Sequence, residues 1–134
     1  MRALYILHFG HNIVSFIDKE GNFDGNSVQA EYGYGGAIHN RGTIENITGD
    51  FSSNSVQAGE KGVGGAIYNI GIIESITGDF SGNSVVAEGV DSHGYGGAIY
   101  NSGHINSITG DFSGNSVIAE MESEVKGGAI YNDE

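Results

Sequence analysis

Residues 64–87 read GGAIYNIGIIESITGDFSGNSVVA, and the string recurs with few changes at 35–58 and 96–119. Gly-Gly-Ala-Ile starts at Gly35, Gly64, Gly96 and Gly127. Phe-x-x-Asn-Ser-Val starts at Phe23, Phe51, Phe80 and Phe112. The step from Gly-Gly-Ala-Ile to the next Phe is 16 residues, whereas the step from Phe to the next Gly-Gly-Ala-Ile is 12, 13, 16 and 15. Each unit of 28–32 residues is therefore a fixed block joined to an elastic segment. The elastic segments, Glu31–Tyr34, Gly59–Val63, Glu88–Tyr95 and Glu120–Lys126, hold many of the charges. A rigid frame with insertions confined to one place is the mark of a repeat scaffold that carries its loops on one face.

The fixed block cannot be helical. Gly and Asn interrupt it too often to leave ten residues with apolar side chains at 3.6-residue spacing. It holds short β-type runs instead, Ala66–Tyr68, Ile72–Ile73, Ser75–Thr77 and Ser84–Ala87, each bounded by residues that favour turns. The pattern predicts an all-β, right-handed, single-stranded parallel β-helix (solenoid) of about four coils, with residues 1–22 a degenerate N-terminal coil and 23–134 the β-helix repeats. Stacking sets equivalent residues ~4.8 Å apart along the axis. Strand parity then places Ile38/Ile67/Ile99/Ile130, Ile44/Ile73/Ile105, Ile47/Ile76/Ile108, Phe23/Phe51/Phe80/Phe112 and Val28/Val56/Val85/Val117 inside. Ile44 and Ile47 differ in parity, so a bend is expected at Glu45-Asn46. In the first unit, Gly10–Phe16 aligns with Gly103–Ile108 with one insertion, which matches Phe16 to Ile108.

Composition narrows the function. The chain has 134 residues, 24 of them Gly, with no Pro, Cys or Trp and a net charge of -12. No Cys excludes a disulfide framework, a thiolate metal site and a Cys nucleophile. The acidic excess argues against nucleic acid and anionic membranes as partners. The apolar run Ala3–Leu7 is too short and too soon broken by His8, Gly10, His11 and Asn12 to serve as a signal peptide. No run approaches the length of a membrane span.

Several columns invite a chemical reading. Asn26/Asn54/Asn83/Asn115 and Asn40/Asn69/Asn101/Asn132 sit at turns and are expected to form structural ladders, with sugar binding the sharper alternative. Asp50, Asp79 and Asp111 form a carboxylate column at the spacing of a glycosidase pair, but a residue present in every unit points to a turn role, here an Asx-turn. The same three are weak candidates for calcium, though the closed calcium-binding repeat motif is absent. His8, His11, His39, His93 and His104 show no ligand spacing. His39 stands where Tyr68, Tyr100 and Tyr131 stand and reads as an aromatic substitute. No catalytic residue, cofactor or firm metal site is assigned.

The paired Gly-Gly-Ala-Ile and Phe-x-x-Asn motifs from Phe23 to Asn132 resemble the passenger repeats of polymorphic outer-membrane proteins and related autotransporter adhesins. That resemblance implies a right-handed β-helix displayed at the cell surface, acting in adhesion to a host or neighbouring-cell protein or glycan. It also implies an export signal and a membrane β-barrel, neither of which these residues show, so a passenger fragment is the expectation. The segment itself is not expected to enter a membrane, and open ends would allow end-to-end self-association. The alternatives are a polysaccharide-acting β-helix enzyme of the glycoside hydrolase type and a non-functional fragment of a longer autotransporter.

Overall fold

Each repeat folds into one coil made of short strands joined by turns, and equivalent strands of successive coils pair side by side. A computed structural model describes residues 4–6, 15–120 and 123–133. Among them the secondary structure is all strand, gathered into four sheets in which every pairing is parallel. The first sheet stacks Leu4–Ile6, Ile38–Asn40, Ile67–Asn69, Ile99–Asn101 and Ile130–Asn132. The second stacks Ser15–Glu20, Thr43–Thr48, Ile72–Thr77 and His104–Thr109. The third carries the Phe columns on two-residue strands, and the fourth begins at Ser27, Ser55, Ser84 and Ser116. The fold is a parallel β-solenoid of about four turns.

The core is built by columns. Phe23, Phe51 and Phe80 are fully buried, as are Ile38, Ile67, Ile99, Ile44, Ile73, Ile47 and Ile76. Ile44 and Ile47 both point inward from one strand because Glu45 and Asn46 between them are both exposed, the expected bend. Phe rings of neighbouring coils lie parallel, with centroids 4.6–4.7 Å apart. That separation is the coil spacing and exceeds van der Waals ring contact of ~3.5 Å, so the stacks are offset, the favoured geometry. Val56, Ala58 and Val85 form a second cluster, flanked by Val28 and Val117, rather than part of one continuous core.

Glycine makes the corner before the first sheet. Gly64 adopts φ +65°, and a Cβ there would lie 2.1 Å from the Ile67 carbonyl. At Gly65 a Cβ would lie 2.0 Å from the Gly97 carbonyl of the next coil. The first Gly thus supplies a left-handed turn and the second lets two backbones approach.

Two expectations need correction. Phe16 pairs with Ile44, in the column of Ile105 and not that of Ile108, so it sits three positions earlier along the wall than the sequence alignment places it. Leu4–Ile6, within the stretch 1–22 read as the N-terminal coil, pairs with Ile38–Asn40. Ile130, assigned to the interior, is 41% exposed. No opposite wall closes over it among the described residues. Arg2, His8, Gly10–Val14, with His11 among them, and Glu122 lie outside the described residues.

The elastic segments are not simple loops. In two coils they lie within continuous strands, Ser27–Tyr34 and Ser55–Val63, with an irregularity between Ala30 and Tyr32. The longer segment after Glu88 splits the strand into Ser84–Ala87 and His93–Tyr95, and the intervening turn projects Val90 outward at 81% exposure. Length added here changes no other wall of the coil.

Candidate functional site

The two Asn columns are continuous hydrogen-bonded ladders. At the turn after each Phe, Asn83 Oδ1 accepts from both the backbone N–H and the Nδ2 of Asn54, at 3.0 and 2.9 Å. Asn83 Nδ2 donates to the Phe51 carbonyl and to Asn115 Oδ1, both at 2.9 Å. Asn26 and Asn54 repeat this pattern below. In the second column, Asn40, Asn69 and Asn101 each donate Nδ2 to the Oδ1 of the next Asn at 2.7 Å, ending on Asn132. Asn40, Asn54, Asn69 and Asn83 are fully buried. An amide carries a donor NH2 and an acceptor oxygen side by side, so each Asn can accept from the preceding coil and donate to the following one. These amides are used by the fold: of the two ladders only Asn132 is exposed, so neither presents a row of sugar contacts to solvent.

Asp50, Asp79 and Asp111 are exposed. Their role differs from the expected Asx-turn. Asp50 Oδ1 accepts the backbone N–H of Asp79 at 2.9 Å, and Asp79 Oδ1 accepts that of Asp111 at 2.8 Å. Asn22 does the same for Asp50 at 3.0 Å. The carboxylate caps the coil above rather than its own turn. Since Asn22 serves the first rung, the bond requires an acceptor oxygen and no negative charge. Among the described residues, no group of three or more His, Asp or Glu side chains converges in a way that could hold a metal ion.

The Tyr column stacks. Tyr68 and Tyr100 have centroids 5.3 Å apart, Tyr100 and Tyr131 5.4 Å, and Tyr95 lies 5.0 Å from Tyr131. Burial, followed by a hydrogen bond to Glu124, pushes the Tyr95 phenol up to about 12. Burial and a 2.7 Å bond to Asp133 raise that of Tyr100 further. Both are neutral donors throughout the physiological range.

His39 interrupts this column. Its ring meets Tyr68 edge-on with centroids 4.8 Å apart, and Tyr34 lies 5.9 Å away. Tyr34, His39, Arg41, Tyr68 and Ile70 line an open pocket of ≈ 260 Å³. Burial first, and then the Arg41 charge, hold the His39 pKa below its ordinary 6.5. A depressed native pKa means that the unfolded chain binds the proton better, so stability is full above about pH 6.5 and falls as acid carries the pH below it. Urea midpoints at pH 7.5 and 5.5 check this. The wild-type chain should lose more stability between them than His39→Tyr, which restores the residue of the other coils, and equal losses contradict it.

The elastic segments form an exposed acidic edge. Glu31, Glu60, Glu88, Asp91, Glu120 and Glu124 all reach solvent. Tyr32 donates to Glu60, Gln57 to Glu88 at 2.6 Å, and Tyr95 to Glu124, which also pairs with Lys126 at 2.5 Å. The Tyr32, Gln57 and Tyr95 bonds each join one coil to the next, and the Glu124–Lys126 pair lies within its own segment.

Taken together, the geometry defines a class: a parallel β-solenoid whose recurring polar residues hold the coils together and whose variation is gathered along one edge. Two segments, residues 78–102 and 110–133, match the family model of the Chlamydia polymorphic membrane protein (Chlamydia_PMP) repeat, and over those residues the chain is similar to that repeat. Each matched segment runs from Gly-Asp-Phe through the elastic segment to the next Gly-Gly-Ala-Ile-Tyr-Asn. The units beginning at Phe23 and Phe51 lie outside the matched residues but share the same register. The family is one of outer-membrane, surface-associated proteins. No curated protein and no solved structure matches the chain. Among the described residues no helix is long and apolar enough to cross a membrane.

Proposed function

We propose that this chain is a non-catalytic, passenger-type segment that presents an interaction surface at the cell exterior for adhesion to a host or neighbouring-cell protein or glycan. One observation carries the reading: the polar residues that recur in every coil are engaged in coil-to-coil hydrogen bonds, while exposed charge and length variation fall together on the elastic edge. A repeat-wide column serves stacking, and only the residues released from it are free to differ between partners. The repeat family, with its surface association, supports the location. The exposed Asp column, with its oxygens on backbone N–H groups, gives a glycosidase no acid set apart from its neighbours.

The test is attachment of the purified chain to cultured epithelial cells, measured by flow cytometry against a variant with Glu88, Asp91, Glu120 and Glu124 changed to Gln or Asn. Saturable attachment that falls in the variant supports the reading. Attachment no greater than that of an unrelated acidic protein overturns it.

A further inference from the structure

One departure from a uniform column, His39, meets residues from two variable positions, Tyr34 and Arg41, at one place. Tyr34 occupies the register position of Val63, Tyr95 and Lys126. His39 occupies that of Tyr68, Tyr100 and Tyr131. Arg41 follows Asn40, where Ile70, Ser102 and Asp133 follow the equivalent Asn residues. Tyr34, His39 and Arg41 occur together in this coil alone, and with Tyr68 and Ile70 of the next coil they line the ≈ 260 Å³ pocket. Residues shared by all coils are explained by stacking. A trio found once, and converging on a concavity, is not.

The chemistry of the trio is specific. Arg41 is exposed, and the ion pairs among the described residues do not include it. A free guanidinium presents a planar fork matched to a carboxylate. Tyr34 and Tyr68, with centroids 5.0 Å apart, supply aromatic surface with a polar tip, the kind that receives the C–H face of a sugar ring. His39 Nε2 is buried and has no hydrogen-bond partner, an unmet demand for a polar group. Burial keeps that imidazole neutral, with one ring nitrogen able to bond a hydroxyl. The volume lies below the ~300–1,000 Å³ of sites for drug-sized ligands, which limits the occupant to about one ring.

We propose that Tyr34, His39, Arg41 and Tyr68, floored by Ile70, form a binding site for a single hexuronate residue, a carboxylated pyranose. Arg41 takes the carboxylate, the two Tyr rings hold the apolar face, and His39 Nε2 bonds a ring hydroxyl. The site rests on the interaction reading above and gives it a ligand class, an acidic glycan. An otherwise acidic surface repels anions in general, so a lone guanidinium beside an aromatic wall selects those that also bring a sugar face.

The experiment titrates the chain with sodium glucuronate by ligand-observed NMR, with glucose and acetate as the half-ligands. Glucuronate is expected to bind in the millimolar range, and glucose and acetate each about tenfold more weakly or worse, the loss expected from removing one charged contact or one stacking face. Arg41→Met and His39→Tyr should each weaken glucuronate about tenfold, and Lys61→Met, a cation away from this pocket, should leave it unchanged. His39→Tyr restores the residue of the other coils, so it tests the site without opening the stack. Acetate binding as tightly as glucuronate, binding indifferent to Arg41→Met, or no glucuronate binding at all overturns the proposal. Cell attachment without glucuronate binding defeats this site alone, and glucuronate binding without cell attachment defeats the adhesion reading alone.

Discussion

Replacing Phe80 with Ala is expected to lower the free energy of unfolding by about 3–5 kcal/mol. The ring is fully buried and lies between Phe51 and Phe112, with centroids at 4.6 and 4.7 Å. Removing it takes away the apolar burial and leaves a gap that two neighbouring coils share. The flanking backbone cannot close it, because Phe80 N–H is bonded to the Asp111 carbonyl and that of Phe51 to the Asp79 carbonyl at 2.8 Å each. Coil spacing is set by these ladders, so the walls hold their distance around a missing side chain. Phe112→Ala, at a ring that is only partly buried, should cost less. Urea unfolding followed by circular dichroism reads both. A loss under about 1 kcal/mol for Phe80→Ala, the ordinary range of a surface change, contradicts the column assignment.

Asn83→Ala is expected to cost about 3 kcal/mol or more, although it deletes a polar side chain. The substitution leaves the Asn54 backbone N–H and one Asn54 amide hydrogen without an acceptor, and the Phe51 carbonyl and Asn115 Oδ1 lose a donor. Each buried orphan costs ~1–3 kcal/mol, and no solvent reaches Asn54 to replace the lost bonds. Asn83→Asp separates the two halves of the role. A carboxylate still accepts from Asn54 but faces the Phe51 carbonyl and Asn115 Oδ1 without a proton to give, so it should be destabilised at pH 7 and partly restored by acid. If Asn83→Ala were no worse than an exposed Ser→Ala control, the ladder would contribute nothing to the stack.

Much of this was legible because self-comparison at 28–32 residues turns one chain into four superimposed copies. Phe80, Ile67, Asn83 and their equivalents announce themselves by recurrence, and recurrence at a fixed offset is what parallel stacking requires. Where recurrence fades, so does the reading. Ala3-Leu4-Tyr5-Ile6 reads by composition as a short apolar run, yet its likeness to Ala66-Ile67-Tyr68 marks the strand at Leu4–Ile6. The Phe16 register slipped because Gly10–Phe16 aligns by composition while the ladder aligns by wall. The Asp column was assigned to its own turn because local hydrogen bonding is the default for Gly-Asp, and only the stack reveals that its oxygen serves the coil above. The Tyr34–His39–Arg41 pocket is half visible in the sequence: His39 stands out as an exception to its column and Arg41 follows two residues on, but Tyr34 lies on a separate strand and Tyr68 and Ile70 come from the next coil.

The central claim is that successive repeats stack in parallel register, Phe on Phe and Asn on Asn. A three-dimensional NOE spectrum of the isotopically labelled chain tests it most directly. Ring-to-ring cross-peaks joining Phe51 to Phe80 and Phe80 to Phe112, with amide contacts from Asn54 to Asn83, are the predicted result. Cross-peaks between strands adjacent in sequence in the antiparallel pattern of hairpins, with no contact between equivalent residues of consecutive repeats, would contradict it.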